Sequence, residues 1–75
     1  MPVTYEQADH VAEQLSRKLR GREGMRGVGI EPDEEEGFVV SVRIAPGATA
    51  PRLATRVNGV AVRLRRRKMA RAVGA

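Results

Sequence analysis

Apolar residues recur at Ala8, Val11, Ala12, Leu15 and Leu19, three or four apart, which places them on one stripe of an α-helix. Glu6, Glu13, Gln14, Arg17 and Lys18 take the rest of that surface. Thr4 and Gln7 have the T-x-x-Q spacing of a capping box, and Val3 stands in the staple position before it. Arg17, Lys18 and Arg20 favour the negative end of the helix dipole, and Gly21 suits a C-terminal cap. The pattern predicts a helix over Tyr5–Arg20.

After the joint Gly21-Arg22-Glu23-Gly24 the period drops to two. Val28 and Ile30 alternate with Gly27 and Gly29, predicting a strand near Gly27–Glu31. Pro32 to Gly37 reads as a turn. Phe38, Val40, Val42 and Ile44 then alternate with Val39, Ser41 and Arg43, giving a second strand and a hairpin. Ala45 to Thr55 holds Pro46, Gly47 and Pro51 and reads as a loop, with one helical turn started by Pro51. Asn58-Gly59 marks a turn. Val60, Val62 and Leu64 alternate with Ala61, Arg63 and Arg65 as a third strand.

These elements predict an α+β fold, one N-terminal amphipathic helix packed on a three-stranded, mostly antiparallel sheet, followed by a basic C-terminal tail. Residues 1–65 form the single domain, and residues 66–75 are a tail, either a short helix or disordered. The core set is Val11, Leu15, Leu19, Val28, Ile30, Phe38, Val40, Val42, Ile44, Leu53, Val60, Val62 and Leu64. The other sheet face, Gly27, Gly29, Val39, Ser41, Arg43, Ala61, Arg63 and Arg65, is expected to lie uncovered. Open faces and edges of this kind recruit partner strands.

Size sharpens that expectation. A chain of 75 residues with no cysteine has a small core and no disulfide to supplement it. Assembly or partner binding is then a route to added stability. The segment Met1–Gln7 lacks the basic start and apolar run of a signal peptide, and no apolar run approaches the ~20 residues of a membrane span. The expectation is a cytoplasmic protein with no membrane contact.

Charge is the most uneven property. From Pro51 onward the chain carries Arg52, Arg56, Arg63, Arg65, Arg66, Arg67, Lys68 and Arg71 and no acidic residue. In the middle, Glu31, Asp33, Glu34, Glu35 and Glu36 face only Arg26 and Arg43. The candidate site for a partner or for phosphates is therefore Arg43, Arg63, Arg65, Arg66, Arg67, Lys68 and Arg71. Asp33, Glu34, Glu35 and Glu36 are its acidic counter-patch, within the chain or in a second copy. Tyr5 and Phe38 are committed to the helix and the core, so no exposed aromatic platform stacks bases. Nucleic-acid binding through these arginines would be directed at the backbone and salt-dependent. A purely solubilising tail is the plainer reading.

Other chemistry has little support. His10 is the single histidine, off the apolar stripe, and Ser16 and Ser41 have no base placed beside them by spacing. Asp33 to Glu36 lack the spaced ligands of a calcium loop and read as a solvated hairpin tip. The glycines from Gly21 to Gly29 follow a helix and open a strand, the reverse of a phosphate-binding loop. No catalytic residue, metal, cofactor or small-molecule substrate is predicted.

Gly27-Val28-Gly29-Ile30, Phe38-Val39-Val40-Ser41-Val42 and Val57-Asn58-Gly59-Val60-Ala61-Val62-Arg63 together resemble small bacterial α+β modules. Their pattern runs GVxGVGI, IxVxV, P, V-x-G-V-P-V-x-V, and some precede trypsin-like protease domains. The resemblance spans Met25–Arg63, with Ala61 where the pattern has proline, and implies the helix-plus-sheet fold. The function expected from the residues is a non-enzymatic protein-interaction or assembly module using the open sheet face and basic tail. The alternative is an accessory protein contacting nucleic-acid phosphates.

Overall fold

The computed structural model describes residues 2–66. Helix α1 spans Tyr5–Leu19, followed by strands β1 (Met25–Asp33), β2 (Gly37–Ile44), β3 (Arg56–Val57) and β4 (Val60–Arg66). The capping box forms as its spacing predicts. The Gln7 backbone N–H donates to Thr4 Oγ1 at 3.2 Å, and the Thr4 backbone N–H donates to Gln7 Oε1 at 2.8 Å. Two N–H groups that the first helical turn leaves without partners are thereby satisfied. The apolar stripe is buried at Ala8, Val11, Ala12, Leu15 and Leu19.

Among the described residues the sheet has four strands, ordered β1-β2-β4-β3, rather than three. β1 and β2 form the expected antiparallel hairpin, but β4 lies parallel to β2, with Val40 beside Val62 and Ile44 beside Arg66. The sheet is therefore mixed. The extra strand is β3, where Arg56 pairs with Ala61 and Val57 with Val60. Asn58 and Gly59 both take positive φ, 50° and 81°, the geometry of the tight turn that an Asn-Gly pair favours. Two residues are too few to show a period of two, so β3 has no signature apart from that turn. The expected helical turn at Pro51 does not form, and the segment from Ala45 runs as irregular chain to Thr55. β1 also takes in Pro32 and Asp33, which were expected in the turn.

Val40, Val42, Ile44, Val60 and Val62 meet the helix stripe in one core, with Val3, Met25, Val28, Ile30, Phe38, Leu53 and Val57 packed at its margins. Leu64 does not join it. It is 42% exposed, because α1 covers β1 and β2 and scarcely reaches the end of β4. At the opposite end of the sheet the Val3 N–H donates to the Glu36 carbonyl at 2.7 Å, clamping the chain start against the β1–β2 hairpin. The Tyr5 and Phe38 rings meet edge to face above this clamp, 5.5 Å apart. Gly37 has φ +90°, and a Cβ there would lie 2.5 Å from the Val3 carbonyl oxygen, so glycine meets both a conformational and a space requirement. No described helix is long and apolar enough to cross a membrane.

Candidate functional site

The sheet face turned away from α1 is not bare. Val39 and Ser41 are buried there to 1% and 3% exposure and Ala61 to 8%, although no secondary-structure element among the described residues covers them. The cover comes from arginines. Arg63 on β4 donates to Asp33 Oδ1 on β1 at 3.1 Å, and Arg65 on β4 donates to Glu31 Oε1 on β1 at 2.7 Å. Because β2 separates β4 from β1, and neighbouring strands lie about 4.8 Å apart, both side chains must cross β2. Their apolar stems then shield the middle strand while the charged ends reach carboxylates. The expectation of an uncovered face is corrected on this point.

A third bridge joins the far edge to the hairpin loop. Arg56 on β3 grips Glu36 with both arms of its guanidinium, at 3.2 and 2.8 Å, and also donates to the Gly59 carbonyl at 3.0 Å. Two-armed contact of this kind is the stronger geometry for an arginine–carboxylate pair. Asp33 accepts the Glu35 and Glu36 backbone N–H groups at 3.0 and 2.8 Å, which fixes the shape of the turn.

These contacts hold all three carboxyls below their ordinary range. For Glu31 the main cause is the hydrogen bond from Arg65, opposed by partial desolvation and aided by Ser41. For Asp33 it is the Glu36 backbone N–H, opposed by desolvation, with Arg63 assisting. For Glu36 it is the hydrogen bond from Arg56, again against desolvation. The bridges are solvent-facing, so each contributes modestly to stability.

The candidate residues therefore divide. Arg63 and Arg65 are engaged with Asp33 and Glu31 of the same chain. Arg66 is on the helix side and donates to the Ala48 carbonyl at 2.6 Å. Arg43 is exposed, pairs in register with Gly27 and Arg65, and makes no ion pair among the described residues. Within the acidic counter-patch Asp33 and Glu36 are engaged, whereas Glu34 and Glu35 are exposed and make no ion pair among the described residues. Arg67, Lys68 and Arg71 lie outside the described residues, as does most of the predicted tail.

Topology adds residues that the linear charge pattern does not single out. The end of α1, the start of β1 and the ends of β2 and β4 all meet at one end of the molecule. Arg20, Arg22 and Arg26 line a shallow groove there with Ser16, Leu19 and Met25. Arg43, Arg65 and Arg66 stand at the same end of the sheet. The hairpin tip with Glu34 and Glu35 is at the other end, as is the start of α1 with Glu6 and Asp9. The domain thus has a basic pole and an acidic pole. Arg20, Arg22 and Arg26 were legible only as scattered charges beside Glu23, and the fold is what collects them.

His10 is exposed on α1 in a shallow depression with Glu6, Gln7, Val11 and Asn58. Ser41 is buried beneath the arginine bridges, and Ser16 opens into the basic groove. The structure brings neither serine to His10. No protein-family model, curated protein or solved structure matches the chain.

Proposed function

We propose that this protein is a non-enzymatic protein-interaction or assembly module, acting in the cytoplasm, that docks through the open margin of its sheet. The observation that carries this reading is β1, a nine-residue strand at the sheet edge with a neighbour on one side only among the described residues. Its outer backbone groups offer the hydrogen bonds that strand addition uses. A core this small gains proportionally from such a partner. The arginine-bridged face is a less suitable docking surface, because a partner there would have to compete with three internal ion pairs.

The test is the mass of the purified full chain in solution, together with recovery of proteins that co-purify with it. The reading expects either a defined oligomer or a stable protein partner. A strict monomer with no protein partner would refute it.

The basic pole supports the competing reading, an accessory protein contacting nucleic-acid phosphates with Arg20, Arg22, Arg26, Arg43 and Arg66. That reading expects binding to mixed-sequence duplex DNA that falls steeply between two salt concentrations. It fails if replacing Arg22, Arg26 and Arg43 by alanine leaves the affinity unchanged.

A further inference from the structure

We infer that the partner of the β1 edge is a second copy of this chain, paired antiparallel across a two-fold axis at Gly29. The inference rests on the assembly reading above and names its occupant. Three features of the edge meet at that register.

The first is where the edge is regular. A bulge lies between Met25 and Gly27, with Arg26 as the extra residue, and it interrupts the ladder at one end. Pro32, which has no N–H to donate, interrupts it at the other. The unbroken segment between them is Gly27-Val28-Gly29-Ile30-Glu31, and its centre is Gly29. An antiparallel pair of identical segments places the two centres opposite each other. Val28 of one copy then faces Ile30 of the other, and Gly27 faces Glu31.

Shape is the second feature. Val28 and Ile30 are only half-buried at the margin of the core, although both project from the helix-covered face. Each would be covered further by its counterpart. On the other face Gly27 and Gly29 carry no side chain, and the Arg43 guanidinium lies close to Gly27.

Charge is the third. The groups left without ion pairs along this margin among the described residues are Arg20, Arg22, Glu23 and Arg26 at and just before the start of β1, net positive, and Glu34 and Glu35 just past its end. In a parallel arrangement like poles would meet. In the antiparallel one, each Glu34-Glu35 tip lies alongside the other copy's Arg22-Glu23 and Arg26, where the two arginines outweigh Glu23, twice over by symmetry. Complementary ends of this kind select orientation and register more than they add affinity. The product is one continuous eight-stranded sheet, with both helices on the same face.

The chain has no cysteine, which allows a direct test on the full-length protein. Gly29 does not have positive φ, and a Cβ there makes only an ordinary 3.6 Å contact with Ser41 Oγ, so Gly29→Cys is compatible with the fold. Cα atoms of directly opposed antiparallel residues lie about 4.5–5.5 Å apart, within disulfide range. Sedimentation should show a dimer for the native chain. Oxidised Gly29→Cys should run as a covalent dimer, whereas Asp9→Cys on the exposed helix face should not.

The paired substitution Glu34→Arg with Glu35→Arg should weaken dimerisation at least about tenfold, and Arg22→Glu with Arg26→Glu should do the same. Combining all four should restore it. A native monomer that binds a different protein overturns this inference and leaves the assembly reading intact. A dimer that neither cross-links at position 29 nor responds to the charge reversals overturns it as well. A monomer with no partner at all overturns both.

Discussion

Gly37 and Gly59 make a matched pair for testing how the chain start is held. Both have positive φ, +90° and +81°, and both close hairpins. They differ in surroundings. An added Cβ at Gly59 meets nothing within 4 Å, whereas at Gly37 it would lie 2.5 Å from the Val3 carbonyl oxygen and 2.9 Å from the Val3 nitrogen. Gly59→Ala should therefore cost only the left-handed backbone strain, about 1–2 kcal/mol. Gly37→Ala carries the same strain and in addition displaces backbone that has little freedom to yield. That forfeits the 2.7 Å hydrogen bond from Val3 to Glu36, a net loss of about 1 kcal/mol. It also lifts the half-buried Val3 side chain from the core margin, which costs roughly another 1 kcal/mol. The expected total is about 3–4 kcal/mol, a large share of the roughly 4–11 kcal/mol available to a chain of this size.

Urea unfolding followed by far-ultraviolet circular dichroism measures the difference, provided all variants are compared at one protein concentration, since self-association adds stability by mass action. With a slope of about 1 kcal/mol per molar urea, the Gly37→Ala midpoint should fall roughly 2 M further than that of Gly59→Ala. Deleting residues 1–3 supplies the internal control. In that shortened background the two glycine substitutions should cost the same, because the clash has been removed. Equal costs in the full-length chain would refute the reasoning.

Stability should also fall in acid. Glu31, Asp33 and Glu36 titrate lower in the folded chain than when unfolded. The unfolded chain therefore binds more protons in the interval between the two values, and stability rises with pH there. The contribution is present above the ordinary carboxylate values and is lost as the pH drops through the folded ones. Replacing the three by Gln, Asn and Gln should flatten unfolding free energy against pH, and an unchanged slope would count against the bridges. In the core, Ile44→Ala should cost about 2–5 kcal/mol in the same urea assay, since Ile44 is 2% exposed beneath α1. Leu64→Ala, on the same nominal face of the neighbouring strand but 42% exposed, should cost less than about 1 kcal/mol. Similar losses at both positions would show that α1 also covers the end of β4.

The helix, its cap, the β1–β2 hairpin and the Asn-Gly turn were legible because each rests on residues close in sequence. A 3.6-residue stripe, a two-residue alternation and a positive-φ pair are local properties, and no distant contact is needed to recognise them. What the alternation could not convey was which strand lies beside which. Val60, Val62 and Leu64 alternate identically whether β4 runs parallel or antiparallel to β2, and only packing leaves Leu64 beyond the reach of the helix. The charge pattern was legible as a split between an acidic middle and a basic end. Its meaning was not, because the arginine-to-carboxylate bridges span 30 and 34 residues of sequence. The parallel placement of β4 beside β2 lets Arg63 and Arg65 reach across to β1, turning an apparently open basic face into a bridged one. The same topology gathers Arg20, Arg22 and Arg26 at the pole opposite Glu34 and Glu35. The sequence by itself thus determined the elements and the inventory of charge. The tertiary structure decided which charges neutralise one another and, among the described residues, which strand lies at the edge of the sheet, since both depend on distances between residues far apart along the chain.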